Sequence, residues 1–144
     1  MTKKYELVLD DTIDFLGWKL FRIRALISFG SVEVGDLGGY IQKGENLSHD
    51  GDAWVSDNAK VWGNAEVCGN AKVSELGDII VFKNHWSSGR HFTYTKSNKM
   101  WKVGCFHGTG RELIEKAYRD SEKSGNHYKA YVGFVESLEK LDDQ

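Results

Sequence analysis

His49 is the only histidine in the first 82 residues, with Asp50 and Gly51 directly after it and no second acid–base group at a fixed spacing. An imidazole takes and gives a proton near neutral pH, so His49 is the residue that a general-base mechanism in this half would use. The plainer reading is a corner residue beside Asp50 and Gly51. Cys105 and His107 share one short segment with His91 upstream, a set too small and too irregular to predict a zinc site. Cys68 falls on an outward slot beside Val67 with no base indicated, which argues against a nucleophile. The glycines of GDLGG near residue 37 lack the strand-to-helix setting of a phosphate loop and mark turns instead. No cofactor and no metal are expected.

A second kind of chemistry lies in charge. Residues 1–80 carry 8 basic and 13 acidic side chains and residues 81–144 carry 11 and 8, so the chain runs from about −5 to about +3 although its net charge is only −2. Between 81 and 111 stand Lys83, Arg90, Lys96, Lys99, Lys102 and Arg111 without one acid, interleaved with His85, Trp86 and His91. Basic residues beside aromatics can hold phosphates and stack bases. The overall balance is not that of a dedicated nucleic-acid binder, and contact with an acidic protein surface ranks first. The partner-binding set is therefore Lys83, His85, Trp86, Arg90, Lys96, Lys99 and Lys102.

The elements that must carry these residues begin with AWVSDNAKVWGNAEVCGNAKVS, residues 53–74, which repeats every six positions. Ala53, Ala59, Ala65 and Ala71 share one phase, and Val55, Val61, Val67 and Val73 lie two residues later. Positions two apart on an extended chain point the same way, so Ala and Val face inward while Trp54, Lys60, Glu66 and Lys72 face out. Asp57-Asn58, Gly63-Asn64 and Gly69-Asn70 tolerate the positive φ that a sharp corner needs. Short strands joined by corners at a fixed period predict a parallel β-helix. Ile41 and Leu47 extend the Ala phase upstream, and His49 then occupies an inward Val place, which predicts an offset or an insertion at Asp50-Gly51. Trp54 and Trp62, at outward places, call for a covering surface, and a homo-oligomeric contact is expected for at least one of them.

Around the repeat, Phe21–Ile27 alternates with Arg22 and Arg24 on the opposite face, a half-buried strand, and residues 1–30 can cap the open end. Residues 78–82, DIIVF, read as a last strand of this unit. HFTYTKSNKMWKVGCF, residues 91–106, predicts a hairpin turning at Ser97-Asn98, with Tyr94 facing Trp101, Phe92 facing Val103 and Lys96 opposite Lys99. Thr109 and Glu112 have capping-box spacing, so a helix starts there with Leu113, Ile114, Ala117 and Tyr118 as its apolar stripe. Gly125 is placed to stop it and Asn126 to cap a second helix carrying Tyr128, Tyr131, Val132, Val135, Leu138 and Leu141.

The six-residue beat resembles the hexapeptide-repeat, left-handed β-helix proteins. That resemblance covers about four hexapeptides and implies a coil of three hexapeptides per turn with the small and aliphatic residues inside. The DLGGYI and NLS elements before the repeat, with WKVGCFHGTG and ELIEKAYRDS after it, resemble a group of phage and prophage proteins. The expected fold is mainly β: a short left-handed parallel β-helix with cap strands over 1–82, then a β-hairpin and two C-terminal α-helices as an appendage over 83–144. The expected function is a non-catalytic phage- or prophage-type module that binds and blocks a bacterial host protein or ribonucleoprotein complex, in its narrowest form an anti-defence, anti-CRISPR-like inhibitor. It is expected to be a homo-oligomer, a dimer or trimer, with direct nucleic-acid binding ranked lower. The alternatives are a hexapeptide acyl-CoA-dependent acyltransferase with His49 as its base and a self-assembling structural protein. The first ten residues lack a signal-peptide apolar run and no stretch is long enough to span a bilayer, so the expected place is the cytoplasm of a bacterial host, without membrane contact.

Overall fold

The computed structural model describes residues 3–143. Its first long elements are β1 (Tyr5–Phe15) and β2 (Trp18–Ala25), an antiparallel pair that reverses through Leu16 and Gly17, both at positive φ. β3 (Leu37–Ile41) adds antiparallel to β2. The repeat contributes β4 (Trp54–Val55), β5 (Lys60–Val61) and β6 (Lys72–Val73), each of two residues. β5 pairs parallel with β3, giving the sheet order β1-β2-β3-β5, and β4 pairs parallel with β6.

The expected left-handed parallel β-helix over residues 1–82 is overturned by this topology. The long strands pair antiparallel, and parallel pairing is confined to the two-residue contacts β3–β5 and β4–β6 and the single Leu47–Val67 bridge. Strands of two residues form too few hydrogen bonds to build a sheet alone, and the longer β1 and β2 supply most of the ladder. The inward phase of the repeat is as the spacing predicts: all four alanines and all four valines are buried in one core with Tyr5, Ile23, Ile41 and Leu47. The corners also follow the sequence, with Asp57, Gly63 and Gly69 at φ between 54° and 66°. Leu47 bridges Val67 whereas Trp54 pairs with Lys72. Two more residues therefore separate the former pair of positions than the latter, so the extra residues lie between Leu47 and Trp54, His49 leaves the inward row, and Ile41 and Leu47 stand beside Val61 and Val67 rather than on the Ala phase as expected. Gly38 and Gly39 are not bends. They lie buried in β3, where a Cβ would stand 2.5 Å from the carbonyl oxygens of Val55 and Ala59 respectively.

The second sheet is antiparallel throughout, in the order β10-β9-β8-β7. β7 (Ile79–Lys83) pairs with β8 (His91–Thr95), β8 with β9 (Met100–Val103), and β9 with β10 (Phe106–Thr109). Residues 79–83 thus join the second sheet rather than closing the first, which moves the boundary between the two units to the N-terminal side of residue 79. The hairpin register is the expected one, with Tyr94 opposite Trp101. Helix α1 (Gly110–Asp120) starts at the Thr109–Glu112 capping box and buries Leu113 and Ala117. Helix α2 (Glu122–Asp142) starts earlier than expected, because Ser121 ends α1 and its hydroxyl accepts from the Ser124 N–H. Gly125 lies inside α2, where any side chain would run into the Tyr118 ring; it permits the tight packing of the two helices rather than stopping the first. Phe92, Tyr94, Trp101, Leu113, Tyr128 and Val135 form the centre of this second core. The outer face of the second sheet meets the repeat, where the Glu66 N–H donates to Thr93 Oγ1 at 3.0 Å and the Lys72 N–H to Ser97 Oγ at 2.8 Å. Among the described residues no helix is long and apolar enough to cross a membrane.

Candidate functional site

His49 sits against the start of the chain. The Lys4 backbone N–H donates to its Nδ1 at 3.0 Å, and the Tyr5 ring stacks on it with centroids 4.2 Å apart and planes 8° from parallel. Burial, followed by the positive charges of Lys4 and Lys3, lowers the His49 pKa, so the neutral ring prevails at neutral pH. A neutral imidazole that accepts at Nδ1 carries its proton on Nε2. Neither nitrogen is then free to take a substrate proton without breaking the bond to Lys4. The geometry makes His49 a strut between the chain start and the 48–52 loop and argues against the general-base role. Beside it a cavity of about 300 Å³ also meets Glu66, Cys68 and Lys102. Burial pushes the Cys68 thiol up, which keeps it protonated and weakly nucleophilic.

Lys4 itself is only 1 % exposed. Its Nζ donates to the carbonyls of Ala53 at 2.6 Å and Gly51 at 3.3 Å and lies 4.8 Å from the Phe29 ring centre. Desolvation lowers its pKa to about 8, against the opposing pull of Asp52 and Asp50. Nothing in the sequence signals this, because a lysine ahead of a strand reads as a solvated terminus. Asn46, in the NLS element, is a second buried polar group. Its side chain accepts from the N–H groups of Gln42 and Lys43 and donates to the carbonyls of Gly63 and Ala65. These residues hold loops in place; neither aims a reactive atom at open space.

The basic stretch divides. Lys96 pairs with Asp142 at 3.4 Å and Lys99 with Glu139 at 3.0 Å, so α2 neutralises the hairpin tip and relieves the Lys96–Lys99 repulsion. Lys102 turns back onto the Gly104 carbonyl. Trp86 is half-buried and committed to its own chain: its indole N–H donates to Ser124 Oγ at 3.1 Å, and its ring stacks on His127 at 4.5 Å and on Tyr131 at 5.8 Å. Trp86 is thus held by its own chain while remaining part-exposed, and its place in the partner-binding set stays an expectation of the sequence. Lys83, His85 and Arg90 are exposed and have no acidic partner among the described residues.

Lys83 ends β7, and the loop 84–90 that follows, fixed by Asn84, carries His85 and Arg90. The buried Asn84 side chain accepts from the N–H groups of Trp86 and Ser87 and donates to the Tyr128 hydroxyl at 3.2 Å. Its backbone exchanges bonds with Arg90 and Gly89. Arg90 stands at the mouth of a cavity of about 520 Å³ that Ser87, Lys116, Asp120 and Ser124 also line. Of the basic stretch, Lys83, His85 and Arg90 thus remain exposed on this end of the second sheet without an acidic partner among the described residues. Asn84 is the residue that the sequence reading missed, and an Asn opening the NHWSSG loop signalled only a turn.

Trp54 and Trp62 differ from the outward pair that the repeat predicts. Trp54 is 6 % exposed, edge-on to the rings of Phe29 and Tyr5. The chain's own first strand and the 26–32 loop cover it, which removes it as an oligomer contact. Trp62 is half-buried, edge-on to Phe15 at 5.0 Å, and lines an apolar groove. His91 and His107 lie on β8 and β10 with β9 between them, and among the described residues no three metal-ligating side chains gather at one point. No protein-family model matches the chain and no curated protein matches it, so its role rests on the residues themselves.

Proposed function

We propose that the chain is a non-catalytic protein-binding module that meets an acidic surface of its partner through Lys83, His85 and Arg90. The observation that carries this reading is the loop 84–90. The buried Asn84 ties it to Tyr128, and it joins Lys83, the end of β7, to Arg90, two cations with no acidic partner among the described residues, in a protein whose hairpin lysines are paired with acids. Preorganised, unpaired charge favours association with a complementary surface and fixes orientation. The resemblance to phage and prophage proteins supports a narrower version, in which the partner is a bacterial host complex, protein or ribonucleoprotein, and binding blocks it.

The test is purification of a tagged chain from a bacterial host, identification of what stays bound after a high-salt wash, and reconstitution with that one partner. The double variant K83E/R90E is expected to lower the affinity at least about tenfold, because each unlike pair becomes a like one. Equal binding by this variant and the parent chain refutes the assigned surface. Binding abolished by nuclease treatment points instead to nucleic acid.

A further inference from the structure

β7 is an outer strand of the second sheet, with one edge facing away from β8. The Lys96 N–H bonds to the Asp78 carbonyl and the Asn84 N–H to the Arg90 carbonyl. In an antiparallel ladder this alternation makes Ile80–Tyr94 and Phe82–Phe92 the hydrogen-bonded pairs of β7 and β8. The backbone N–H and C=O groups of Ile79, Val81 and Lys83 therefore point away from β8, and no partner for them is present among the described residues. Native sheets blunt such edges with bulges, prolines or covering elements. β7 carries none of these, and its one charged residue, Lys83, stands at its end rather than along the apolar run.

Side chains along this edge are apolar on both faces. On one, Val81 is 38 % and Leu76 52 % exposed, and with Trp62 and Ile79 they line a groove of about 390 Å³. On the other, Phe82 lies beside Phe134, whose ring centre is 6.4 Å away and which is 53 % exposed on α2. Leu141, exposed two helical turns later, continues that stripe.

We infer that this edge docks a second copy of the chain by antiparallel β7–β7 pairing centred on Val81. The charge order of the segment selects that occupant. Glu75 and Asp78 precede the apolar run and Lys83 ends it, so antiparallel pairing sets the acidic end of each copy beside the basic end of the other. Parallel pairing would set Lys83 against Lys83. A two-fold axis through the Val81 pair satisfies all three outward residues, because Ile79 then faces Lys83 of the second copy. It joins the two sheets into one of eight strands with both α2 helices on the same face. The groove that Trp62 lines is covered in the process. This goes beyond the partner-binding reading and shares only Lys83 with it, since His85 and Arg90 lie outside the paired strand.

Light scattering and sedimentation over a wide range of concentration test it. The parent chain is expected at twice the chain mass, and Val81→Lys is expected to raise the dissociation constant at least about tenfold while leaving Lys83, His85 and Arg90 in place. Val81 is partly exposed, so circular dichroism of this variant is expected to be unchanged. As a second measurement, Val81→Cys in a Cys105→Ser background is expected to form an intermolecular disulfide, since Cα atoms opposed in a hydrogen-bonded pair stand about 5.5 Å apart. Leu9→Cys, exposed on β1, is expected not to. A parent chain that stays monomeric at every concentration overturns the inference, as does a dimer indifferent to Val81→Lys. A monomer whose Val81 amide becomes protected from hydrogen exchange only when the reconstituted partner is added assigns the edge to that partner, and overturns self-docking too.

Discussion

The core under the repeat is lined by rows of four alanines and four valines, with Tyr5, Ile23, Ile41, Leu47 and Trp54 beside them and buried Asn46 and Lys4 at its margins, whereas the core under the helices centres on Phe92, Tyr94, Trp101 and Tyr128. In the first, the chain approaches itself so closely at Gly38 and Gly39 that backbone packs on backbone and side-chain volume is what must be kept out. In the second, a three-strand aromatic face and two helices meet through large rings that came from distant parts of the sequence. The difference teaches where each region is vulnerable. The first fails when something is added and the second when something is taken away.

The largest expected effect follows from taking away. Trp101→Ala empties a site that is 2 % exposed and is expected to cost about 3–5 kcal/mol, read as a lower urea midpoint. If the loss is under about 1 kcal/mol, the aromatic core is not what holds the helices to the sheet. Adding to the first core comes next. Gly39→Ala places a Cβ 2.5 Å from the Ala59 carbonyl and 2.8 Å from Val55 Cγ1, for an expected cost of about 1–3 kcal/mol. Gly44→Ala, which meets nothing within 4 Å, is the control that separates crowding from loss of a glycine.

Acidity sharpens the same comparison, because the buried Lys4 belongs to the first region. The unfolded lysine keeps its proton to about 10.5 and the folded one only to about 8. Between those values the unfolded state binds more protons, so stability rises with pH. Tyr5, held up at about 12 against 10 when unfolded, works the other way above pH 10. The raised Cys68 thiol opposes the gain already above pH 9, so the gain is read between pH 8 and 9 in melting curves, and Lys4→Met is expected to flatten it. His49→Ala removes the acceptor for the Lys4 N–H and the ring on Tyr5, at an expected cost of about 1 kcal/mol. The smallest effect is expected at the hairpin tip. Lys96→Ala deletes an exposed pair with Asp142 worth at most about 0.5 kcal/mol, weaker still in high salt.

Particular residues show what could be read in advance. The Ala and Val rows, the positive-φ corners at Asp57, Gly63 and Gly69, the Tyr94–Trp101 register and the Thr109 capping box were legible, since each rests on neighbours within a few positions. The burial of Trp54 was not, because outward on a short strand means outward only until another segment covers it, and the cover came from Phe29 and Tyr5. The helix break was misplaced because both Ser121 and Gly125 suit a boundary, and only the pressure of Tyr118 on residue 125 shows that the glycine serves packing. Of the basic stretch, the residue types were legible but not their fate. The distinction between neutralised Lys96 and Lys99 and unpaired Lys83 and Arg90 depends on where α2 lies.

The sequence by itself determined the six-residue period, its inward rows, the hairpin and the start of the first helix, because hydrophobic phase and turn chemistry are local. Tertiary structure alone decided that β1, β2 and β3 pair antiparallel, that β7 joins the second sheet, and that Lys4 and His49 are bound to each other across 45 positions. Strand pairing is chosen by the backbone hydrogen bonds and apolar area that a whole arrangement satisfies at once, and neither quantity is written in any one stretch of the chain.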